Sequence, residues 1–395
     1  MPHHSLLDQQ AIKRQNRRLL LETVRRRGPS SRAELARELG LTKSTVSSLT
    51  QELIGEGLLS EGTLQTSGTG RPGILLELRP QGALALGVEL GVKNTVVIVL
   101  DLGSQTRQLL EWSEPADTPL SQRLERIAQK IQQHIPQRED FLGLGLTVPG
   151  VVRDDQTLSY APGPGWRNAR PGQQLQQLLG LPVIVQNDAN ASALSETFWG
   201  ESHSPLAYIM LGTGLGTGLV VEGQVYRGRH GAAGELGHWK NHADRPCSCG
   251  RSGCLETELS LRSLELHFRS LSQRSEDFWG ILELARTGHE HALASLEALG
   301  SQLGRFIANL AVAFDPAVVV LGGAGAEAWQ WLEAPTRKRL SELAFIPEHA
   351  CLPIRPSAFG HLAPAMGAAA LVLQRFLANG GVRDGNPPIS PRALG

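Results

Sequence analysis

The 395-residue chain lacks the features that mark several classes of protein. It has four cysteines, no net formal charge and only 5% aromatic residues. No segment approaches the roughly 20 apolar residues of a membrane span, and no apolar run near the N-terminus is long enough for a signal peptide. Three of the four cysteines lie close together, which suits a metal site in a reducing compartment better than a disulfide framework. These absences predict a soluble cytoplasmic protein without a membrane partner.

The chain is longer than one hydrophobic core usually allows, so two or three domains are expected. Its charge is unevenly distributed, because residues 1–50 carry ten Lys or Arg and four Asp or Glu. From Ala83 the composition changes to apolar runs broken by glycines. We therefore predict a basic N-terminal domain over residues 1–80, followed by an α/β region.

The densest group of metal-ligating side chains lies between Glu235 and Glu256. Its four members are an imidazole and three thiols: His238, Cys247, Cys249 and Cys254. Such a set, on a short segment rich in Gly and Pro, is typical of a closed tetrahedral zinc site, in which Zn²⁺ is structural because no position is open. The alternative is three reduced structural thiols beside a surface His. The isolated Cys351 is expected to be buried.

Signals for a helix-turn-helix occupy the basic segment. A basic amphipathic helix over 11–27 is followed by Ser31 and Glu34, which form a possible capping box, and after a turn at Gly40 by Thr42, which caps a third helix. The second helix of such a pair enters the major groove of DNA with its N-terminal residues. The candidate DNA contacts on this helix are Lys43, Ser44, Thr45, Ser47 and Ser48.

A wing is expected after these helices. Residues 58–61 and 74–78 read as two strands around a Gly/Ser/Thr-rich tip that carries Arg71. One Arg on a stiff, narrow backbone suits an A·T-rich minor groove. The alternative is a helical protein-interaction module with a solvated basic face, but the agreement of basic helix, capped pair and wing favours double-stranded DNA as the partner.

The α/β region contains a weak internal repeat. A strand, a glycine turn and a strand at 84–100 recur at 206–225, where the turn is expected over 212–218 and the next strand from Leu219. The repeat indicates two related lobes with a cleft between them. Asp188 falls where a strand gives way to a helix, a position at which α/β sheets present polar groups to ligands.

The last third of the chain is expected to be mostly helical. Residues 259–313 read as helices, 317–321 as a buried strand and 362–378 as an amphipathic helix. The tail from Asn379 contains Gly and Pro and is expected to be disordered.

These residues resemble the ROK family (repressor, open reading frame, kinase), and within it the transcriptional repressors that respond to xylose, N-acetylglucosamine or glucose. The glycine loop 211–218, followed by Gly234-Glu-Leu-Gly-His238, matches the family signature, and His238 with the three clustered cysteines matches its zinc site. The resemblance covers essentially the whole chain. It implies homodimers or homotetramers on partly palindromic operators.

The resemblance also implies the fold. A winged helix-turn-helix would precede a two-lobed, actin-like (ribonuclease H-like) ROK domain with a structural zinc loop over 235–256. The first lobe would span 81–186 and be completed by the helix at 362–378, and the second would span 187–361. Residues 379–395 would form the tail.

By resemblance, a monosaccharide effector binds between the lobes. Asn187 and Asp188 match the pair that holds sugar hydroxyls, with the Asp acting as general base in the kinases. Glu235 and His238 match the pair that contacts the sugar and anchors zinc, and Glu256 matches a further sugar-contacting carboxylate. Carboxylates and amides suit this role because they bind vicinal hydroxyls in bidentate fashion.

One segment departs from the family's kinases. Where they have Asp-x-Gly-Gly-Thr, this chain has Glu89-Leu-Gly-Val92-Lys93, so close approach to ATP phosphates is hindered. We therefore predict a sugar-responsive repressor and not an enzyme. Two alternatives stay open: an active sugar kinase with an appended DNA-binding domain, and a regulator controlled by a protein partner. Trp166, near the cleft, is as compatible with loop packing as with a sugar-facing ring.

Overall fold

The N-terminal head, described over residues 3–65 and 73–78, is a winged helix. The computed structural model describes residues 3–65, 73–103, 105–135, 141–154, 156–200, 203–241 and 244–383. The elements of the head are α1 (His3–Arg27), β1 (Ser30–Ser31), α2 (Arg32–Leu39), α3 (Lys43–Gly55), β2 (Leu59–Gln65) and β3 (Gly73–Leu78). The strands form a sheet in the order β1-β3-β2. The helix-turn-helix and the wing strands are thus confirmed.

Local capping determines where the helices of the head begin and end. The Ser31 hydroxyl accepts from the Glu34 backbone N–H, and the Glu34 carboxylate accepts in return from the Ser31 N–H, so the capping box is present. Gly40 ends α2 with a left-handed φ of 63°, and the Thr42 hydroxyl caps α3. The first helix is longer than predicted, because it begins at His3 and not at residue 11.

The first lobe is built on a five-stranded sheet in the order β11-β7-β4-β5-β6. Its elements are β4 (Leu84–Leu90), β5 (Asn94–Asp101), β6 (Thr106–Ser113), α4 (Leu120–His134), β7 (Phe141–Val148), β8 (Val151–Val152), β9 (Leu158–Ala161), β10 (Trp166–Ala169), α5 (Pro171–Leu179) and β11 (Val183–Asn187). Strands β4, β7 and β11 are parallel, while β4-β5-β6 is an antiparallel meander. Strands β8, β9 and β10 form a small separate sheet.

The second lobe repeats this arrangement, with the order β14-β13-β12-β15-β16. Its elements are α6 (Asp188–Phe198), β12 (Leu206–Leu211), β13 (Leu215–Val221), β14 (Gln224–Val225), α7 (Leu261–Ser272), α8 (Phe278–Arg286), α9 (Glu290–Phe314), β15 (Val318–Gly322), α10 (Trp329–Leu343), α11 (Pro347–Ala350) and β16 (Ile354–Pro356). An antiparallel meander followed by two parallel strands is common to both sheets. The predicted pair of related α/β lobes is therefore confirmed.

Two helices lie between the sheets. The last helix, α12 (Ala363–Ala378), packs on β4 and β7 of the first sheet, while α6 packs on β12 and β13 of the second, and the two helices pack on each other. The approach is close, since a Cβ on Gly145 would lie 1.8 Å from the Ala368 carbonyl oxygen and one on Gly367 would lie 1.8 Å from that of Ala191. The small residues Gly145 and Gly367 therefore allow α12 to pack closely on the first sheet and on α6.

The stretch Gly360–Ala378, which contains α12, is long and apolar enough to cross a membrane by length and composition. Two thirds of it (67%) is buried inside the protein. In the part of the chain that the structure describes it is the one helix that passes this test. Its apolar surface is accounted for by contacts with both lobes.

Three further expectations were wrong. Strand β13 begins at Leu215 and not at Leu219, because Gly218 lies within the strand where a Cβ would be 2.3 Å from the Ala189 carbonyl oxygen of α6. Cys351 is exposed, since it follows the short surface helix α11. Gly380 and Gly381, at the start of the tail, lie against the head, and the tail after Arg383 lies outside the described residues.

Candidate functional site

The structure brings the imidazole and the three clustered thiols together. The ligand atoms of His238, Cys247, Cys249 and Cys254 all lie within 4.8 Å of one another. The Cys249 and Cys254 Sγ atoms are 3.7 Å apart, as are Cys247 Sγ and His238 Nδ1. Two thiolates bound at about 2.3 Å to one tetrahedral ion would be about 3.8 Å apart. The four groups therefore fit around a single metal ion.

The backbone around the cluster is shaped by short-range hydrogen bonds. The Cys247 N–H donates to the Arg251 carbonyl at 2.8 Å, and the Gly250 N–H donates back to the Cys247 carbonyl at 3.0 Å. Gly250 has a φ of +84°, which a glycine adopts without strain. Burial raises the pKa of the Cys247 thiol to about 12, so its thiolate form calls for a nearby cation.

Polar side chains gather at one edge of the first sheet, where its parallel strands end. Glu89 lies opposite Thr147 on the neighbouring strand, and Val148 lies opposite Asn187 on the next. Asp188 follows directly and opens α6, and its carboxylate accepts from the Ala189 N–H at 2.8 Å. The carboxyl ends of parallel strands are the usual ligand-binding edge of an α/β sheet.

The carboxylates at this edge have raised pKa values. Burial, together with the charges of Asp188 and Glu111, raises the pKa of Glu89 to about 8. Burial raises the pKa of Asp188 to about 6, although backbone N–H donors oppose the shift. Carboxyl groups in such surroundings are typical of binding and catalytic sites.

Asn187 is largely committed to the fold. Its Oδ1 caps α6 by accepting from the Asn190 N–H at 3.0 Å, and its Nδ2 donates to the Gly150 carbonyl at 3.0 Å. Only 9% of the residue is exposed. The Asn187 side chain also hydrogen-bonds the Asp188 carboxylate and so lowers its pKa. Asn187 therefore contributes mainly by orienting the start of α6.

Glu256 lies between the metal cluster and the glycine turn after β12. Its Oε2 accepts from the Leu215 N–H at 3.1 Å, and a Cβ on Gly214 would come within 2.5 Å of the same oxygen. Its Oε1 accepts from the Ser248 hydroxyl at 3.1 Å and lies 3.5 Å from Cys247 Sγ. The glycine turn therefore makes room for a carboxylate that is tied to the metal loop.

Glu235 connects the cluster to the strand-end carboxylates. Its Oε2 lies 3.8 Å from His238 Nε2, while Nδ1 of the same imidazole faces Cys247. Burial, with the charges of Asp188 and Glu256, raises the pKa of Glu235 to about 7. The two ring nitrogens of His238 thus point to different partners, one toward the metal cluster and one toward the acidic cleft.

The segment that departs from the kinases forms a tight, well-supported turn. The buried Arg123 guanidinium donates to the Val92 carbonyl at 3.1 Å, and the Glu114 N–H donates to the Lys93 carbonyl at 2.7 Å. Arg123 also pairs with Glu114 at 2.8 Å and lies 5.6 Å from the centroid of the Trp166 ring. Trp166 is therefore engaged in packing with Arg123.

On the head, α3 presents a polar face to solvent. Val46, Leu49 and Leu53 are buried beneath it. The predicted DNA contacts divide by exposure: Lys43, Ser44, Ser47 and Ser48 are exposed, and Thr45 is half-buried. The Thr42 cap hydroxyl is within 2.9 Å of both the Ser44 and Thr45 hydroxyls, which orients them at the helix start. Arg71 lies outside the described residues.

Sequence reasoning missed two carboxylates. Glu89 was considered only as the start of the phosphate turn, although a charged residue inside the apolar strand Leu84–Leu90 could have signalled a ligand-facing position. Glu196, on α6, is fully buried and pairs with Arg355 at 2.8 Å and with the Ser357 hydroxyl at 2.6 Å. Nothing in the sequence distinguishes Glu196 from an exposed helical acid.

Comparison with known proteins agrees with this geometry. The ROK family profile matches residues 85–375, and the IclR helix-turn-helix domain profile matches residues 19–61. The chain is 30% identical over 381 residues to the xylose repressor of Bacillus subtilis (strain 168), covering 94% of this chain and 98% of that one. It is 27% identical over 387 residues to the DNA-binding transcriptional dual regulator NagC of Escherichia coli (strain K12), covering 93% and 94%.

Solved structures give the same pattern. A ROK family transcriptional regulator, a homolog of the E. coli MLC protein, superposes with a TM-score of 0.79 at 28% identity, covering 94% of this chain and 98% of that one. A ROK family glucokinase from Streptomyces griseus, in complex with glucose and AMPPNP, gives a TM-score of 0.68 at 27% identity, covering 74% of this chain and 100% of the kinase. The likeness to the regulator extends over more of the chain.

Proposed function

Because the chain belongs to the ROK family, we propose that it is a sugar-responsive, DNA-binding transcriptional repressor of carbohydrate-metabolism genes. The observation that carries the proposal is the combination of a winged-helix head with a cleft that gathers carboxylates. Several relatives that match over nearly the full length are named as xylose repressors. DNA recognition and hydroxyl recognition in one chain are the two parts that such a repressor needs.

The effector is a neutral monosaccharide. Asp188, Glu235 and Glu256 accept its hydroxyl hydrogens, with His238 Nε2 at their side and Asn187 holding the start of α6. The charges of Asp188 and Glu256 already act against that of Glu235, so a phosphate ester or sugar acid, which would add a further negative charge, would be repelled. A neutral sugar, which offers vicinal hydroxyls, suits this acidic cleft.

The metal is Zn²⁺, held by the imidazole and the three thiolates of the cluster. One nitrogen and three sulfur ligands at tetrahedral spacing are a donor set that Zn²⁺ prefers. With four protein ligands the ion has no open position, so it supplies structure and no reaction. It fixes the loop that carries Glu235 and Glu256, and thereby holds these carboxylates in place to read the sugar.

The head reads the operator through the exposed N-terminal face of α3, with Lys43, Ser44, Thr45, Ser47 and Ser48 toward the major groove. Arg71, which the sequence places between the two wing strands, reaches the adjacent minor groove in this proposal. A homodimer or homotetramer places two heads on successive turns of the duplex.

The proposal is tested by operator binding with and without sugar. An operator is first selected from a random duplex library, and D-xylose, D-glucose, N-acetyl-D-glucosamine and their phosphate esters are then screened for binding by calorimetry. We expect one neutral sugar to bind and to change operator affinity. If a sugar binds but leaves operator affinity unchanged, the proposed switch is wrong. Release from the operator by a protein partner, without any sugar binding, would favour partner control instead.

A second candidate, an active sugar kinase with a DNA-binding head, is favoured by the place of Asp188 at the strand end and by the 27% identity to a glucokinase. The turn at Val92 and Lys93, held from inside by Arg123, counts against it because it lacks the glycine that lets backbone amides approach phosphates. ATP-dependent phosphorylation of any of these sugars, lost in Asp188→Asn, would favour the kinase. We expect no turnover.

A further inference from the structure

Helix α1 of the head touches one interlobe helix from each lobe. The head contacts the first lobe in two ways: β3 leads into β4, and α1 packs on α12, which itself packs on the first sheet. The end of α6, which packs on the second sheet, also reaches α1. The apolar core of the head is continuous with residues of both helices, including Leu194 and Phe198 of α6 and Phe376 of α12. The orientation of the head therefore depends on both lobes.

Arg25 makes the contact with the second lobe. Its Nη1 donates to the Phe198 carbonyl at the C-terminal end of α6, and its Cζ lies 4.4 Å from the centroid of the Phe198 ring. Trp199 stacks edge-on against the same ring at 4.9 Å. The opposite end of α6 is Asp188, so one helix of 11 residues runs from the cleft to the head.

Arg17, two helical turns away on α1, makes the contact with the first lobe. Its Nε donates at 2.8 Å to the carbonyl of Gly380, just after α12, and its Nη1 donates at 2.8 Å to Glu56. Glu56 is the C-cap residue of α3. A buried guanidinium thus joins the end of α12 to the end of the helix that we propose to read DNA.

We propose that Arg25 is a positioning residue that transmits the sugar-bound state of the cleft to the DNA-reading head, by holding α1 to α6 while Arg17 holds it to α12. The inference rests on the proposed function of the cleft. Every residue of α6 after Asp188 is buried, so the helix moves with its lobe as a unit. A sugar that draws the lobes together at Asp188 shifts the Phe198 end relative to Gly380, and α1 turns with it.

The energetic requirement is that the sugar favours one lobe arrangement over the other. Such coupling is reciprocal, because the operator must change sugar affinity by the same factor by which the sugar changes operator affinity. A residue that only stabilises the head would alter operator affinity by a similar factor with and without sugar. A positioning residue changes the ratio between the two, and this difference makes the role measurable.

The test compares full-length wild type with Arg25→Ala, Arg25→Lys and Phe198→Leu, with Arg26→Ala as the matched control. Arg26 is the next residue, carries the same charge and is exposed. Operator affinity is measured with and without saturating sugar, starting with D-xylose, and sugar affinity is measured with and without operator. Two ratios are compared: operator affinity with sugar against operator affinity without it, and sugar affinity with operator against sugar affinity without it. In wild type we expect both ratios to be equal and to correspond to a change of about 5- to 150-fold.

In Arg25→Ala and Phe198→Leu we expect both ratios to fall below about 3-fold, with sugar affinity of the free protein within about 2-fold of wild type. Arg25→Lys keeps a donor to the Phe198 carbonyl and should retain part of the ratio. Arg26→Ala should retain the full ratio. The inference is overturned if the Arg25 and Phe198 variants keep the wild-type ratio, or if Arg26→Ala loses it equally. If wild type binds sugar but its operator affinity is the same with and without sugar, the proposed function itself is overturned.

Discussion

Arg17 and Gly380 are 363 positions apart in the chain and are joined by a buried hydrogen bond of 2.8 Å, from Nε to the backbone carbonyl. A Cβ on Gly381 would lie 2.6 Å from a methyl carbon of Leu58, so the backbone after α12 lies directly on the head. The sequence around Gly380 has the composition of a disordered tail. Gly380 and Gly381, the first glycines of this tail, are instead part of the interface between the head and the lobes.

This contact predicts that truncation has a sharp boundary. A chain ending at Ala378 removes the acceptor of a buried guanidinium, which should cost about 1–3 kcal/mol of unfolding free energy. A chain ending at Arg383 keeps Gly380 and serves as the control. Thermal unfolding should show a lower melting temperature for the shorter chain alone. Equal melting temperatures for the two truncations would contradict the structural role of Gly380.

The metal cluster predicts different outcomes for two cysteines. Cys249→Ser removes one of four ligands and should release most of the bound zinc, measured by elemental analysis, and weaken sugar binding because the loop carrying Glu235 and Glu256 loosens. Cys351→Ser is the control, because Cys351 is exposed and outside the cluster. Zinc retained at one ion per chain in Cys249→Ser would refute the ligand assignment.

Glu89 predicts a pH dependence of stability. Its pKa is about 8 in the folded chain against an ordinary 4.5, so unfolding releases a proton between these values and stability falls as pH rises through this window. Glu89→Gln removes the effect. We expect its melting temperature to be close to that of wild type at pH 4.5 and higher than that of wild type at pH 8.5. At pH 8.5 its unfolding free energy should exceed that of wild type by on the order of 2 kcal/mol or more.

The control for this comparison is Glu125→Gln, because Glu125 is exposed on α4. Its melting temperature should follow that of wild type at every pH. A difference between Glu89→Gln and wild type that does not grow with pH would mean that the folded-state pKa of Glu89 is ordinary. The prediction concerns stability alone and is independent of any ligand.

The proposed DNA-reading face predicts the effect of an added negative charge. Ser47→Glu places a carboxylate on the exposed side of α3 and should weaken operator binding by at least about 10-fold, since it faces phosphates and base edges. Ser270→Glu makes the same change on an exposed position of α7. Sugar affinity should be unchanged in both. Equal operator affinity in the two variants would move the DNA contact away from α3.

Local signals account for the parts of the fold that sequence reasoning predicted. The capping box at Ser31 and Glu34 needs only four consecutive residues, and the strand-to-helix step at Asp188 follows from a change in apolar periodicity. Gly218 was wrongly assigned to a turn, because the sequence alone does not distinguish a glycine required by a turn from a glycine required by the close approach of a helix. The contacts of Gly380 and Arg25 join distant segments, and no local pattern encodes such pairings.

Asp188 predicts how the cleft holds its sugar. Asp188→Asn keeps the shape and the hydrogen bond from the Ala189 N–H but removes the charge, and a hydrogen bond to a charged acceptor contributes about 1.5–3 kcal/mol. Sugar affinity measured by calorimetry should therefore fall by about 10- to 150-fold. Asp117→Asn, at an exposed position in the turn before α4, is the control and should bind sugar like wild type.

Operator affinity without sugar should be the same in Asp188→Asn and wild type, because the head and its two contacts on α1 are untouched. At sugar concentrations that saturate wild type but not the variant, only wild type should change its operator affinity. At concentrations that saturate both, the two should respond equally, since the coupling runs through α6 and not through the charge of Asp188. A variant that binds sugar fully but no longer responds would assign Asp188 to transmission and not to binding.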